Sequence, residues 1–324
     1  PPPPPPPPPP PSKSTPTTDI YTLTHSSAAS DVYKRQRQDR TAMLTVYPNN
    51  VRSQMRRDLE VRAWCSEHGL RVPLLLDHDL GQGWVVLEDF GPNDAESALE
   101  VAPSGARGEL GRQLIAPLVT LAKLQPADLP TWNPPLDRAR LRWELAGFEL
   151  WFLRHQLGVA PSQAVECWLD ELAGNIGEHP LRVCHRDYHL NNLFLLADGS
   201  VGLIDYQDIL VGPDSYDAVS LLGERGMPRV LTRAERARIR DSWAADTDAA
   251  AGWLDRWRLV SVQRAFKVLG TFARLVAGGA RAYEIWAEEL VRTIAPDLAL
   301  LNAPSELANL LLDLSRHRHP TSDR

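Results

Sequence analysis

Short apolar runs with strand character mark the early part of the chain. They lie at 42–47, 72–79 and 83–90, and a glycine-containing turn joins the last two. Between the first two runs, 51–69 has the spacing of a helix, with Leu59, Val61, Trp64 and Cys65 on its apolar face and Gly69 at its end. The pattern predicts a small part in which strands predominate.

Beyond residue 100 the apolar spacing becomes mainly helical. Helices are predicted at 105–126, 139–158, 161–177 and over most of 215–314. The first is predicted in spite of Pro117, and the third has Ser162 as its predicted N-cap and Gly177 as its terminator. A short hairpin is predicted at 192–206. The order of elements predicts an α+β protein of two lobes, one small and β-rich and one larger and helical, with a cleft between them.

The first forty residues have a different composition from the rest. A tract of eleven prolines precedes Ser/Thr-rich sequence, and "SSAASDVYKRQ" (26–36) is similar to strings found at the ends of assembled sequences. We interpret 1–40 as a disordered or artefactual tail, with a Pro-rich interaction tail as the alternative. The remaining divisions are 41–91 as the small lobe with its linker, 92–316 as the helical lobe, and 317–324 as a tail.

Composition narrows the functional classes. The formal net charge of −6 argues against non-specific nucleic-acid binding. The three cysteines, Cys65, Cys167 and Cys184, have neither zinc spacing nor a disulfide framework, which favours a reduced, cytoplasmic compartment. No apolar run approaches the length of a membrane span, and no signal peptide is visible. We expect no membrane association and no obligate protein partner.

The stretch "VCHRDYHLNNLFLL" (183–196) carries the candidate chemistry. His185 and Asp187 follow a buried strand-like run, and Asn192 precedes the first strand of the predicted hairpin. The second strand ends at Asp205, so the hairpin can bring Asp187, Asn192 and Asp205 to one end. Carboxylate and amide oxygens suit Mg²⁺, which then needs phosphate oxygens and waters to complete its coordination. This layout is typical of phosphoryl transfer from ATP to an alcohol.

Each of these residues taken alone could have a purely structural role. An Asp or Asn in a loop usually caps or turns the backbone, and a three-residue string such as "HRD" recurs by chance. The complete ordered set, with the hairpin between Asn192 and Asp205, favours the catalytic interpretation.

The set "HRDYHLNN…IDYQD" resembles the signature of the aminoglycoside phosphotransferase and choline kinase superfamily, whose members are relatives of protein kinases. The resemblance implies a two-lobed kinase-like fold with ATP and Mg²⁺ as cofactors. It implies Asp187 as the catalytic base, Asn192 and Asp205 as metal ligands, and His185 as the structural support of the loop. Asp217 resembles the buried aspartate that braces this loop, with an ordinary acid at a helix N-terminus as an equal alternative.

Two further assignments follow from the same resemblance. "VVLEDFG" (85–91) resembles the segment joining the lobes, where Leu87, Glu88 and Asp89 would bind the nucleotide through backbone pairing with adenine; its alternative is a buried strand. Asp208 could add a second metal contact or could hydrogen-bond only within its own turn.

A narrower resemblance covers roughly 41–290. "RLRWELAGFELWFLRHQLG" and "VQRAFKVLGTFARL" are similar to bacterial kinases that phosphorylate N-acetylmuramate and N-acetylglucosamine at the anomeric hydroxyl in peptidoglycan recycling. It implies substrate contacts for Trp151, Arg264 and Lys267. The two cations would serve the lactyl carboxylate of N-acetylmuramate, which needs a cationic partner, and Trp151 would line the sugar site. The alternatives are a helix face paired with neighbouring acids and an aromatic residue in a core.

The sequence departs from the superfamily pattern at its beginning. Within 1–40 we see neither alternating strands nor glycine, so the phosphate-covering hairpin is expected to be missing, and "TAMLTVYP" holds no lysine. The small lobe and the nucleotide site are therefore expected to be incomplete. Other functional classes stay open: a kinase for another alcohol such as an aminoglycoside or choline, a catalytically impaired binding module with a kinase fold, or a protein that binds partners through its Pro-rich tail.

Overall fold

The computed structural model of the chain describes residues 21–23, 31–37, 40–223 and 226–316. The fold is α+β, as expected, with strands concentrated in the early part of the chain and helices in the later part. The chain forms two compact units. One runs as far as Met55 and includes Leu74–Asp89, whereas the other contains Arg56–Pro73 and the chain from Phe90 onward.

The first unit contains a five-stranded antiparallel sheet in the order β1-β2-β3-β5-β4. Its strands are β1 (Tyr21–Leu23), β2 (Asp31–Arg37), β3 (Arg40–Val46), β4 (Leu75–Asp79) and β5 (Trp84–Glu88). The β4–β5 turn is organised by Asp79, whose carboxylate accepts hydrogen bonds from the N–H groups of Gly81 and Gln82. Gly83 closes the turn with a φ of 77°, a conformation that favours glycine.

Two of these strands correct the expectation that 1–40 contains none. β2 pairs with β3 from Asp31 opposite Val46 to Arg37 opposite Arg40, so the pairing crosses the proposed boundary at residue 40. The strand β2 ("DVYKRQR") is polar and shows no apolar alternation. Backbone hydrogen bonds to β3 define this strand, and the pattern of side chains along a sequence does not reveal such bonds. The other positions of the proposed tail, and 317–324, lie outside the described residues.

The second unit is mostly helical. Helix α1 (Arg52–Glu67) begins in the first unit and continues in the second. The other helices are α2 (Ala95–Val101), α3 (Ser104–Gln113), α4 (Ala116–Lys123), α5 (Arg138–Gly147), α6 (Gln163–Gly177), α7 (Tyr216–Gly223), α8 (Met227–Val230), α9 (Arg233–Asp246), α10 (Trp253–Ala277), α11 (Tyr283–Leu300) and α12 (Ser305–Arg316). Two short antiparallel pairs accompany them, β6 (Leu181–Cys184) with β9 (Leu210–Pro213), and β7 (Leu193–Leu195) with β8 (Val201–Leu203). No helix in the described part of the chain is both long and apolar enough to cross a membrane.

Several predicted helix ends are confirmed. Gly69 adopts a φ of 78° just after α1, and the N–H of Leu70 reaches back to the carbonyl of Cys65 at 3.0 Å. The Ser162 hydroxyl accepts a hydrogen bond from the N–H of Val165, as an N-cap does. Gly177 differs from its expected role, because it is the last helical residue of α6 and the cap falls on Glu178.

Two predicted helices are interrupted. The segment 105–126 divides into α3 and α4, and Pro117 lies in the first turn of α4, where its missing N–H costs no helical hydrogen bond. The segment 139–158 begins as α5 and continues as a π-helical stretch, Phe148–Gln156. Such stretches widen the turn and change which side chains face the core.

Two hydrophobic cores fill the second unit, and the strand β6 lies between them. One core is built mainly from α5, α6, α10, α11 and α12, and the other from α1, α4, α7, α9 and the β7–β8 pair. Cys184 belongs to the first core and Val183 to the second, because successive side chains of a strand point to opposite faces. The loop that follows Cys184 therefore starts from a position fixed by packing on both sides.

Candidate active site

The loop after β6 is held by a buried carboxylate. Asp217, at the start of α7, accepts hydrogen bonds from the N–H of His185 at 2.6 Å and from the N–H of Arg186 at 2.9 Å. Arg186 has a φ of 79°, a left-handed conformation that a non-glycine residue adopts only at a cost. The two bonds stabilise that turn, which determines where the next residue, Asp187, lies.

A histidine ties the same loop to the β7–β8 hairpin. The Nε2 atom of His185 lies 3.0 Å from the carbonyl oxygen of Ile204, so the tautomer with a proton on Nε2 makes this hydrogen bond. The ring also meets Tyr188 edge-on, with centroids 5.7 Å apart, and the Tyr188 hydroxyl donates to the carbonyl of Leu114. His185 and Asp217 thus make the contacts expected of groups that support the loop.

The hairpin brings Asn192 next to the end of β8. The side-chain N–H of Asn192 donates to the carbonyl oxygen of Asp187 at 2.9 Å, and the backbone carbonyl of Asn192 accepts from the N–H of Ile204 at 3.0 Å. Asp205 follows Ile204 directly and has a left-handed φ of 62°. Asp187, Asn192 and Asp205 are therefore drawn to one end of the hairpin, as the sequence predicts.

Positive charge surrounds Asp187. Its Oδ1 lies 4.0 Å from the Nζ of Lys267, and Arg186 and Arg264 are close neighbours. Burial alone would raise the pKa of Asp187, but the charges of Lys267, Arg264, Arg186 and His185 outweigh it and hold the pKa at about 2. The carboxylate is thus ionised at neutral pH and ready to accept a hydrogen bond from a hydroxyl.

Asp205 has the opposite electrostatic environment. Burial raises its pKa, a hydrogen bond from Gln207 at 2.7 Å and the nearby His185 lower it, and the negative charges of Asp187 and Asp208 raise it further. A carboxylate in such surroundings gains from a bound cation. Asp208 itself forms an ion pair with Arg186 at 3.1 Å.

The donor set fits a hard divalent cation. Asn192 and Asp205 offer one amide and one carboxylate oxygen, the ligand types that Mg²⁺ prefers. Within the described ranges, no group of three or more His, Cys, Asp or Glu side chains could hold a metal ion by itself. A cation at Asn192 and Asp205 would thus need oxygens from a phosphate group and water to complete its shell.

Arg264 corrects one expectation. Its side chain is fully buried, donates to the carbonyl of Arg186 at 3.3 Å and to the Ser220 hydroxyl at 2.8 Å, and stacks over the Tyr216 ring at 4.1 Å. These internal contacts place Arg264 behind the loop, where it supports the backbone and cannot contact a substrate carboxylate directly. Sequence reasoning missed Ser220 and the loop contacts of Arg186; the central position of Arg186 within "HRD" was the only available signal.

The two other candidates for substrate contacts, Lys267 and Trp151, have different surroundings. Lys267 is brought to Asp187, whereas Trp151 is half-buried against the core that contains α10 and its ring contacts His155 at 5.4 Å. No contact among the described residues joins Trp151 to Asp187. A role for Trp151 in substrate binding stays a prediction.

The nucleotide candidates lie at the end of β5 in the first unit. Leu87 pairs with Met43 of β3 and with Leu75 of β4, and Glu88 exchanges bonds with Leu74, donating its N–H to the Leu74 carbonyl and accepting the Leu74 N–H at its side chain. These contacts engage the N–H of Glu88 within the sheet. Adenine pairing by Leu87, Glu88 and Asp89 remains a prediction.

Comparison with curated proteins identifies relatives with sugar-kinase names. The chain is 32% identical over 217 residues to an N-acetylmuramate/N-acetylglucosamine kinase of Pseudomonas aeruginosa, covering 64% of this chain and 62% of that protein. It is 32% identical over 221 residues to the protein of the same name from Neisseria meningitidis, covering 64% of each. The chain therefore spans less than two thirds of the length of these relatives.

Solved structures of similar fold carry related names. A choline kinase, LicA, from Streptococcus pneumoniae superposes with a TM-score of 0.56 at 13% identity, covering 84% of this chain and 90% of that one. An aminoglycoside-3'-phosphotransferase of type VIII superposes with a TM-score of 0.53 at 18% identity, covering 77% and 94%. At this level of identity the likeness shows a shared fold, the kinase-like phosphotransferase fold that the motifs predict.

A family model matches most of the chain. The match runs over residues 22–259 and includes the loop of Asp187, the hairpin and Asp217. It begins within the segment that we interpreted as a tail, in agreement with the strands β1 and β2. The resemblance drawn from "HRDYHLNN…IDYQD" is confirmed, and the chain belongs to the phosphotransferase enzyme family whose model is termed APH.

Proposed function

We propose that the chain is an ATP-dependent small-molecule kinase that phosphorylates the anomeric hydroxyl of an amino sugar, N-acetylmuramate or N-acetylglucosamine. The observation that carries the proposal is the ionised Asp187 carboxylate on a braced loop, adjoining Asn192 and Asp205. The names of the two curated relatives support the choice of acceptor. A place in peptidoglycan recycling in the cytoplasm belongs to the same proposal.

In the proposed reaction Asp187 orients the acceptor. Its carboxylate accepts the hydrogen bond of the anomeric hydroxyl, whose oxygen forms a bond to the γ-phosphorus while the bond from that phosphorus to the leaving oxygen of ADP breaks. The hydroxyl proton passes to Asp187. A carboxylate with a pKa of about 2 is a weak base, so Asp187 contributes mainly by positioning, and an anomeric hydroxyl suits it because this hydroxyl is more acidic than an ordinary alcohol.

Asn192 and Asp205 are the proposed ligands of Mg²⁺. When bound, the cation would neutralise phosphate charge, which is the chemistry that phosphoryl transfer requires of a metal. Asp205 would gain a partner for its buried negative charge, and the Asn192 amide would keep its hydrogen bond to the Asp187 carbonyl while its side-chain oxygen contacts the metal.

An ATP-consumption assay with several acceptors tests the proposal. We expect ADP formation that depends on N-acetylmuramate or N-acetylglucosamine, with ³¹P NMR showing a phosphate on the anomeric carbon. Turnover with kanamycin or choline but with neither sugar would assign a cationic acceptor instead. Binding of ATP without turnover on any of the four would identify a binding module and contradict the proposal.

The metal assignment gives a separate prediction. Asp205→Ala should raise the Mg²⁺ concentration for half-maximal rate by about tenfold or more, since a direct ligand contributes at least as much as an outer-shell partner. Asp198→Ala is the matched control, because Asp198 lies exposed in the β7–β8 turn, where its carboxylate accepts hydrogen bonds from Ser200. Equal Mg²⁺ dependence in the Asp205 variant and the parent, measured by initial rates, would remove Asp205 from the ligand set.

A further inference from the structure

Lys267 is the cation of α10 that reaches Asp187. Its Nζ lies 4.0 Å from Oδ1 of Asp187, and 20% of its side chain is exposed, against 33% for Asp187. The two groups are therefore partly shielded from solvent yet open to a ligand. Such shielding makes a charge more effective than it would be on a free surface.

The other positive groups near Asp187 are engaged elsewhere. Arg264 is buried against Tyr216 and bonded to Ser220, and Arg186 is paired with Asp208 at 3.1 Å. Lys267 differs, since in the part of the chain that the structure describes Asp187 is its one ion-pair partner.

The separation of Lys267 and Asp187 is longer than a hydrogen bond. At 4.0 Å the ammonium and the carboxylate attract one another, but neither fills the hydrogen-bonding positions of the other. An acceptor hydroxyl bonded to Asp187 would place the incoming phosphorus about 3 Å beyond its own oxygen, within reach of an ammonium on a flexible four-carbon stem.

We propose that Lys267 is a catalytic residue that contacts the phosphoryl group during transfer and stabilises its negative charge. This inference rests on the proposed kinase function. A cation directed at charge that develops during transfer contributes more to kcat than to binding. The small lobe shows no lysine in the stretch "TAMLTVYP", and α10 supplies a lysine to Asp187 within the helical unit.

The position of Lys267 distinguishes a contact with the phosphoryl group from the expected contact with the lactyl carboxylate of N-acetylmuramate. Lys267 lies beside Asp187, which would hold the reacting hydroxyl, and the lactyl group is attached to a different carbon of the sugar. N-acetylglucosamine lacks that group, so the two sugars together distinguish the roles. A lysine for the lactyl carboxylate affects only N-acetylmuramate, whereas a lysine for the phosphoryl group affects both.

The test compares Lys267→Met and Lys267→Arg with the parent chain. For Lys267→Met we expect kcat to fall by about 10²- to 10³-fold on both sugars, the cost of losing one stabilising donor. The KM of each sugar should change by less than about threefold, because the lost contact forms only during transfer. The affinity for ADP, measured by calorimetry, should be unchanged, since ADP lacks the transferred group. Lys267→Arg should recover part of the rate because it retains the charge.

Lys123→Met is the matched control, since Lys123 is an exposed lysine at the end of α4. A kcat of Lys267→Met close to that of the parent would overturn the proposal, whether or not the melting temperature falls. A raised KM for N-acetylmuramate alone would assign Lys267 to the lactyl carboxylate. A parent chain inactive on both sugars would overturn the proposed sugar kinase function, whereas an active parent with an equally active Lys267→Met variant would overturn only the role of Lys267.

Discussion

Asp187→Asn is expected to lower kcat by about 10³-fold, because the acceptor hydroxyl loses the charged carboxylate that orients it and receives its proton. The amide keeps the size of the side chain but neither carries the charge nor accepts a proton. The loop should stay in place, because the Asp217 carboxylate accepts from the N–H groups of His185 and Arg186 and the His185 ring bonds to the Ile204 carbonyl. None of these bonds involves the Asp187 side chain.

Initial rates with saturating ATP and sugar, together with a melting curve, measure both parts of this expectation. The melting temperature should stay within a few degrees of the parent, since the lost ion pair with Lys267 is partly exposed. Asp198→Asn, in the exposed turn between β7 and β8, is the control and should leave kcat unchanged. If Asp187→Asn keeps more than about a tenth of the parent rate, Asp187 is not the group that handles the acceptor hydroxyl.

Gly270→Ala is expected to be the most damaging single-methyl change in the helical unit. A Cβ atom at Gly270 would lie 2.5 Å from the carbonyl carbon of Gly147 and 2.6 Å from the backbone nitrogen of Phe148. Backbone atoms cannot rotate away, so α10 and α5 would have to separate where Phe148 stacks on Phe266 with centroids 4.1 Å apart. We expect a loss of about 3 kcal/mol in the free energy of unfolding, after the better helix propensity of alanine is included.

Gly147→Ala is a control from the same interface. A Cβ atom at Gly147 meets nothing within 4 Å, so the same chemical change should be neutral or stabilise by up to about 1 kcal/mol. Urea unfolding of the two variants gives the comparison. Because α10 also carries Arg264 and Lys267, Gly270→Ala should lower activity as well. Equal stability of the Gly270 variant and the parent would mean that the helices are less closely packed than the structure shows.

The sequence by itself was enough for the order of the site residues. His185, Asp187, Asn192 and Asp205 have fixed spacing around a hairpin, and a hairpin of that length can only return the chain to its starting end. The family and the α+β fold followed from the same motif and from the change of apolar period along the chain. Local signals also located the end of α1 at Gly69 and the cap at Ser162, because a left-handed glycine and an N-cap hydroxyl act within one turn of chain.

The tertiary structure decided what depends on contacts between distant segments. The strand β2 exists through backbone pairing with β3, and its polar side chains give no sign of that pairing, so the sequence pattern did not predict this strand. Arg264 and Lys267 stand three residues apart on α10 and looked equivalent in sequence. The packing of α7 and the loop of Arg186 covers Arg264 and leaves Lys267 beside Asp187. A periodic pattern shows which side chains share a helix face, but only packing against other elements determines which of them remains open to a ligand.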